Sequence, residues 1–233
     1  MQGQGSRRTA SCSAADTLVF GRSGAVWMRG IAQGRLVHDV GVKTAVGGEW
    51  TNWARRTAEG RLQGEGRRWA HVRGVAAAAE RLTVDLCVSG PDGDAVRAAA
   101  WLHDVGYAPS LVVSVFQPLD GARFLRAQGV SGVIVSLVAH HTRAVLEAEQ
   151  RGLAEALAAF AVPPQDLEDV VTFADLTTGP DGLPVSVEDR LAEILRRYSA
   201  EDPVHRAVTA SSPSLLACAA RVRTRLAGAG QPR

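Results

Sequence analysis

The chain has 233 residues, 46% of them hydrophobic, 21% charged, with a formal net charge of +2. That length makes one domain, or one domain with an appendage, and no apolar run approaches the roughly 18 residues of a membrane-spanning helix. Three widely separated cysteines, Cys12, Cys87 and Cys218, exclude a disulfide scaffold and fit a reducing, cytoplasmic setting.

Lys43 is the only lysine among the 26 cationic residues. Arginine suits phosphate recognition, but a balance of +2 spread along the chain gives no basis for a nucleic-acid partner.

Residues 1–47 are rich in Gly, Ser and Arg and carry no sustained period. Arg7-Arg8 begins like an export signal, but Ala14–Phe20 is too short, and at Asp16 too polar, for its apolar core. The segment reads as a disordered or loosely packed extension, with 48–233 as the folded domain. A reading frame that starts further downstream is one account of it, and an intact mass of the native protein beginning at Met1 would overturn that account.

From Thr51 onward the period is helical. Trp69 to Leu86 sets Val72, Val75, Ala76, Ala79, Leu82 and Leu86 on one stripe. Asp94 is placed to cap a helix running to about His103. Pro118 belongs in the first turn of a helix that Gly129 closes. Ser131 opens a longer helix through about Glu149, with Val133, Ile134, Leu137 and Val138 inward. Pro164 precedes a helix to about Asp175, and Ser186 to Asp189 reads as a capping box. Ser212-Pro213 opens the last helix, which Gly228 ends. Leu111–Phe116 is the one strand candidate and has nothing to pair with. The predicted fold is all-α.

Three short motifs carry chemistry: His71 in RRWAHV, His103-Asp104 in WLHDVG, and Asp175 in TFADLTTG. Each lies on or at the end of a helix with apolar neighbours. Imidazoles and carboxylates are buried together only when they pair or bind a cation. Two histidines and two carboxylates form a mixed nitrogen and oxygen donor set, suited to Mn, Fe, Co, Ni, Zn or Mg. Singly, His71 also reads as a hydrogen-bonded core residue, and Asp104 or Asp175 as a helix cap.

In the order His, His-Asp, Asp on a helical chain, these motifs resemble the HD-domain superfamily of metal-dependent phosphohydrolases, with HDVG similar to the HDIG variant. The resemblance covers about Arg67 to Ala192 and implies an HD-domain-like helical bundle. It also implies one divalent metal held by His71, His103, Asp104 and Asp175. A metal-bound water loses its proton near neutral pH and can attack phosphorus, with Asp104 orienting the metal and that water.

Two-metal members add histidines between the doublet and the final aspartate. His140-His141 fall in that interval, but Gln117 stands where a further histidine is expected. A mononuclear site follows, with His140 or His141 as proton donor or substrate contact; sequence does not say which faces inward. Tyr107 replaces the lysine of HDIGK, so Arg68, Arg123 and Arg143, with Gln117, become the candidate substrate contacts, each arginine reading equally as a solvated helix face. No GYP motif follows His140-His141, against a cyclic dinucleotide phosphodiesterase. The segment DLTTGPDG either shapes the pocket or is simply a turn.

The resulting expectation is hydrolysis of a phosphate ester of a small metabolite, with a nucleotide foremost. The alternatives are an HD-fold non-haem iron oxygenase and a non-catalytic, nucleotide-binding regulatory protein.

Overall fold

The computed structural model describes residues 48–229, so the extension read over 1–47 lies outside the described residues. Ten α-helices follow one another: α1 (Glu49–Leu62), α2 (Arg67–Asp85), α3 (Gly90–Leu102), α4 (Gln117–Ala127), α5 (Gly132–His140), α6 (Ala144–Gln150), α7 (Ala154–Ala158), α8 (Gln165–Leu176), α9 (Val187–Arg197) and α10 (Pro203–Ala229). Single 3-10 turns sit at Val105–Tyr107 and His141–Arg143. No strand forms among the described residues, and the fold is all-α. No described helix is long and apolar enough to cross a membrane.

Helix α3 lies at the centre, packed against α1, α2, α5 and α8. Its buried face is Ala95, Val96, Ala98, Ala99, Ala100 and Leu102, and short alanine side chains let neighbouring helix axes come close. Helix α5 is buried continuously from Ile134 to Ala139, a wider surface than the single predicted stripe. In α2 the predicted inward residues Val72, Val75, Ala76, Ala79 and Leu82 are buried, while Leu86 falls just beyond the helix and is half-buried.

Local expectations change at three places. Asp94 sits inside α3 and caps α1 instead: its carboxylate accepts the backbone N–H groups of Trp50 (3.1 Å) and Thr51 (3.0 Å) and the Thr51 hydroxyl (2.5 Å). Gly48 offers α1 no side chain for that purpose. The helix predicted over 131–149 breaks after His140, where Thr142 (φ 51°) and Arg143 (φ 60°) turn left-handed. The break is held by distant partners, with the Thr142 N–H donating to the Thr172 hydroxyl (3.0 Å).

The last helix starts ten residues before Pro213, at Pro203, and Asp202 caps it by accepting the Val204 N–H at 2.8 Å. A continuous buried stripe of Ala207, Ser211, Leu215, Cys218, Ala219 and Val222 carries it through the internal proline. The segment 111–116, expected to lack a partner strand, is a loop; the N–H groups of Val113 and Ser114 donate to the Asp120 carboxylate at 3.0 and 2.9 Å. The capping box is present, with the Asp189 N–H donating to Ser186 Oγ at 3.0 Å.

Candidate metal centre

His71 projects from α2, His103 follows the last residue of α3, Asp104 opens the first 3-10 turn, and Asp175 lies in the last turn of α8. Donor atoms of His71, His103 and Asp104 lie within 4.8 Å of one another, and all three residues are buried. Asp175 joins through His71, with Oδ1 2.9 Å from His71 Nε2.

Backbone carbonyls orient three imidazoles alike. The Nδ1 atoms of His71, His103 and His141 sit 3.1, 2.8 and 2.8 Å from the carbonyl oxygens of Gly179, Ala100 and Val138. Those contacts put the Nδ1–H on the carbonyl and turn each Nε2 toward the ring cluster, an arrangement that recurs for metal-ligating histidines. The His71 and His103 rings, and the His103 and His141 rings, are each 5.4 Å apart between centroids.

His103 Nε2 is buried without any hydrogen-bond partner. An orphaned imidazole nitrogen beside a carboxylate (Asp104 Oδ2 at 3.6 Å) is the environment a cation satisfies. The donor set therefore fits a divalent metal.

Two glycines permit this geometry. A Cβ on Gly106, the glycine of HDVG, would stand 2.1 Å from the Gln117 carbonyl oxygen, so only glycine lets the turn after Asp104 close on α4. Gly182 has φ +80° and lies against the Ala70 carbonyl. It seats the DLTTGPDG turn on α2, and that turn supplies the Gly179 carbonyl to His71. The segment thus shapes the pocket.

The electrostatics favour cation binding. Burial opposes ionisation of Asp104, but His103, Arg68 and His71 outweigh it and bring its carboxyl down to about 2. Asp175 is likewise held well below the usual carboxylate range: burial opposes its ionisation and the hydrogen bond and charge of His71 prevail. Burial shifts His103 downward from the usual imidazole range. Burial also disfavours a charged His71, yet the hydrogen bond and charge of Asp175 raise its pKa overall.

The remaining predicted residues divide. His141 is buried and faces the cluster, whereas His140 turns its Nε2 to the Phe160 carbonyl at 3.2 Å; the break at Thr142 decides between them. Gln117 reaches His141 Nε2 at 3.4 Å. Arg68 donates to Asp104 Oδ2 at 2.5 Å and stacks on Tyr107, 3.9 Å from its ring centroid. Arg143 lines the cleft but pairs with Glu168 (2.5 Å) and Asp169 (3.4 Å). Arg123 does not come to the cleft; it lies 3.9 Å from Asp120 on its own helix.

The sequence reading missed the opposite wall. Arg190 and Arg197 reach the cleft from α9, and Leu191, Ile194, Val208 and Leu215 of α9 and α10 give it an apolar side. The available signal was the spacing of seven between those arginines, which puts them on one helical face.

A family model described as HD domain matches residues 68–201. No curated protein and no solved structure matches the chain. The matched span covers more than half of the chain and contains His71, His103, Asp104 and Asp175. On that match, and on an all-α bundle that gathers histidines and carboxylates, the chain belongs to the HD-domain family, a superfamily of metal-dependent, hydrolase-like proteins.

Proposed function

We propose that the protein is a metal-dependent phosphohydrolase that cleaves a phosphate ester of a small metabolite, with a nucleotide as the foremost substrate. The observation that carries this reading is the buried, partnerless Nε2 of His103 within reach of His71 and Asp104 donor atoms. His71, His103, Asp104 and Asp175 are the residues that would hold one divalent cation. When bound, that cation supplies a water nucleophile at neutral pH and offsets charge on the phosphoryl oxygens.

The chain's own groups do the rest. Arg68, steadied by Asp104 and Tyr107, offers a planar guanidinium to a phosphoryl oxygen at the edge of the donor set. His141 is held by the Val138 carbonyl and, when protonated, can deliver a proton from Nε2 to the leaving oxygen. Gln117 stands beside His141 where a second metal would need a stronger ligand, which supports a mononuclear site. The apolar side of α9 and α10 receives the body of the substrate and keeps water from it.

The test is metal content by mass spectrometry on the full chain and on Asp104→Ala, followed by a phosphate-release screen with added Mn or Co. One divalent ion per chain, lost together with activity in Asp104→Ala, supports the reading. Two irons per chain would move the oxygenase alternative ahead of it. Failure to bind metal even after add-back would end the catalytic reading.

A further inference from the structure

Beside the donor set lies a second cavity of about 310 Å³, a size within the range of small-ligand sites. Its lining is Arg67, Arg68, His71, Pro180, Arg190 and Arg197. Arg68, His71, Arg190 and Arg197 also line the main cleft, so the two spaces adjoin at the metal centre.

Four guanidiniums around one cavity repel each other unless anions answer them. Two carboxylates do so in part. Asp104 takes Arg68, and Glu193 takes both Arg190 (2.7 Å) and Arg197. Arg67 has no ion pair among the described residues, so the guanidiniums outnumber the neighbouring carboxylates Asp104, Asp175 and Glu193.

Arg190 is the less ordinary member. Its side chain is only 9% exposed, and its Nε has no hydrogen-bond partner. A buried guanidinium normally has its donors satisfied, and the planar fork matches phosphate geometry. Solvated surface arginines do not explain a buried one with a donor left over.

We infer that Arg67, Arg190 and Arg197 form a subsite for a second phosphoryl group, so that the substrate carries two phosphates, as a diphosphate or bisphosphate ester of a small organic alcohol. The inference rests on the phosphohydrolase reading above and narrows its substrate class. Arg68, at Asp104, serves the phosphoryl group at the metal centre; the α9 arginines, across the Pro180 turn, serve the other.

The test is calorimetric titration of inorganic diphosphate and of orthophosphate into the full chain, dialysed against chelator so that metal does not contribute. Diphosphate should bind about 10-fold more tightly than orthophosphate or better, a difference near 1.4 kcal/mol. Arg197→Gln, at a half-exposed side chain, should abolish that preference. Arg190→Gln should do the same, with its melting temperature checked because the residue is buried. Arg81→Gln, at an exposed position late in α2, should leave the preference within twofold of the parent.

Equal affinities for the two anions, no binding of either, or equal losses in Arg81→Gln and Arg197→Gln would each overturn the subsite. The titration involves no metal and no turnover, so it fails separately from the parent reading. A protein that releases phosphate but does not prefer diphosphate refutes the subsite alone. A preference for diphosphate in a protein that binds no metal upholds the subsite and refutes the hydrolase.

Discussion

The wall of the cleft built by α2, α3 and α8 and the wall built by α9 and α10 are held by different means. On the first, imidazoles are fixed by main-chain carbonyls, two of them within helices and one, Gly179, in a turn seated on α2 by Gly182, which has no room for a Cβ. On the second, Arg190 and Arg197 share one carboxylate, Glu193, which is 30% exposed. A side chain fixed by the backbone holds its position before any ligand arrives. An arginine held by a solvent-facing carboxylate exchanges partners at little cost. One wall is suited to a ligand of fixed coordination geometry, the other to an anion that replaces an existing ion pair.

The largest expected effect separates two adjacent histidines on the rigid side. His141→Ala should lower turnover about 100-fold if its Nε2 handles a proton, while His140→Ala, whose ring is tied to Phe160, should stay within about threefold. Equal losses from both, read as kcat on the first substrate found, would remove the distinction that the break at Thr142 creates.

Next comes Gly106→Ala. The added methyl meets the Gln117 carbonyl and should destabilise the protein by about 1–3 kcal/mol in urea denaturation. Arg197→Gln, on the adaptable wall, should change stability by less than about 0.5 kcal/mol. If the two variants matched, the contrast between the walls would fail.

Acid sharpens the same contrast. In the metal-free protein the folded pKa of Asp104, about 2, lies below the roughly 4 of an unfolded aspartate. The stability this depression confers is fully present above about pH 4 and is lost as pH falls through 2. It amounts to something on the order of 2 kcal/mol, and Asp175 acts in the same direction. Asp104→Asn should therefore flatten the acid limb of an unfolding curve followed by circular dichroism, which an unchanged limb would contradict.

Much of this was legible in the sequence because it is written locally. Periodicity marked α2, Pro164 marked the start of α8, a capping box marked α9, and the motif order gathered His71, His103, Asp104 and Asp175. What escaped depends on partners far along the chain. The break after His140 is fixed by Thr172 and by Glu168 with Asp169, some 25 to 30 residues away. Pro213 looked like a helix start because it lacks an N–H, yet buried contacts on both sides of it carry α10 through. Asp202-Pro203 was the better start signal, a cap followed by a first-turn proline. Arg190 and Arg197 belong to the site only because α9 packs back against α8 and α10.

Asp94 bears on how this protein can be trimmed. The family match begins at residue 68 and leaves α1 outside it, so a shortened chain would naturally be cut there. Such a cut would take away Trp50 and Thr51, which supply three donors to a carboxylate only 3% exposed. The cut would also uncover the apolar face of α3 on which α1 packs, one helix length from His103. Residues 49–62 are therefore a structural part of the bundle, and a minimal version of it has to begin no later than Gly48.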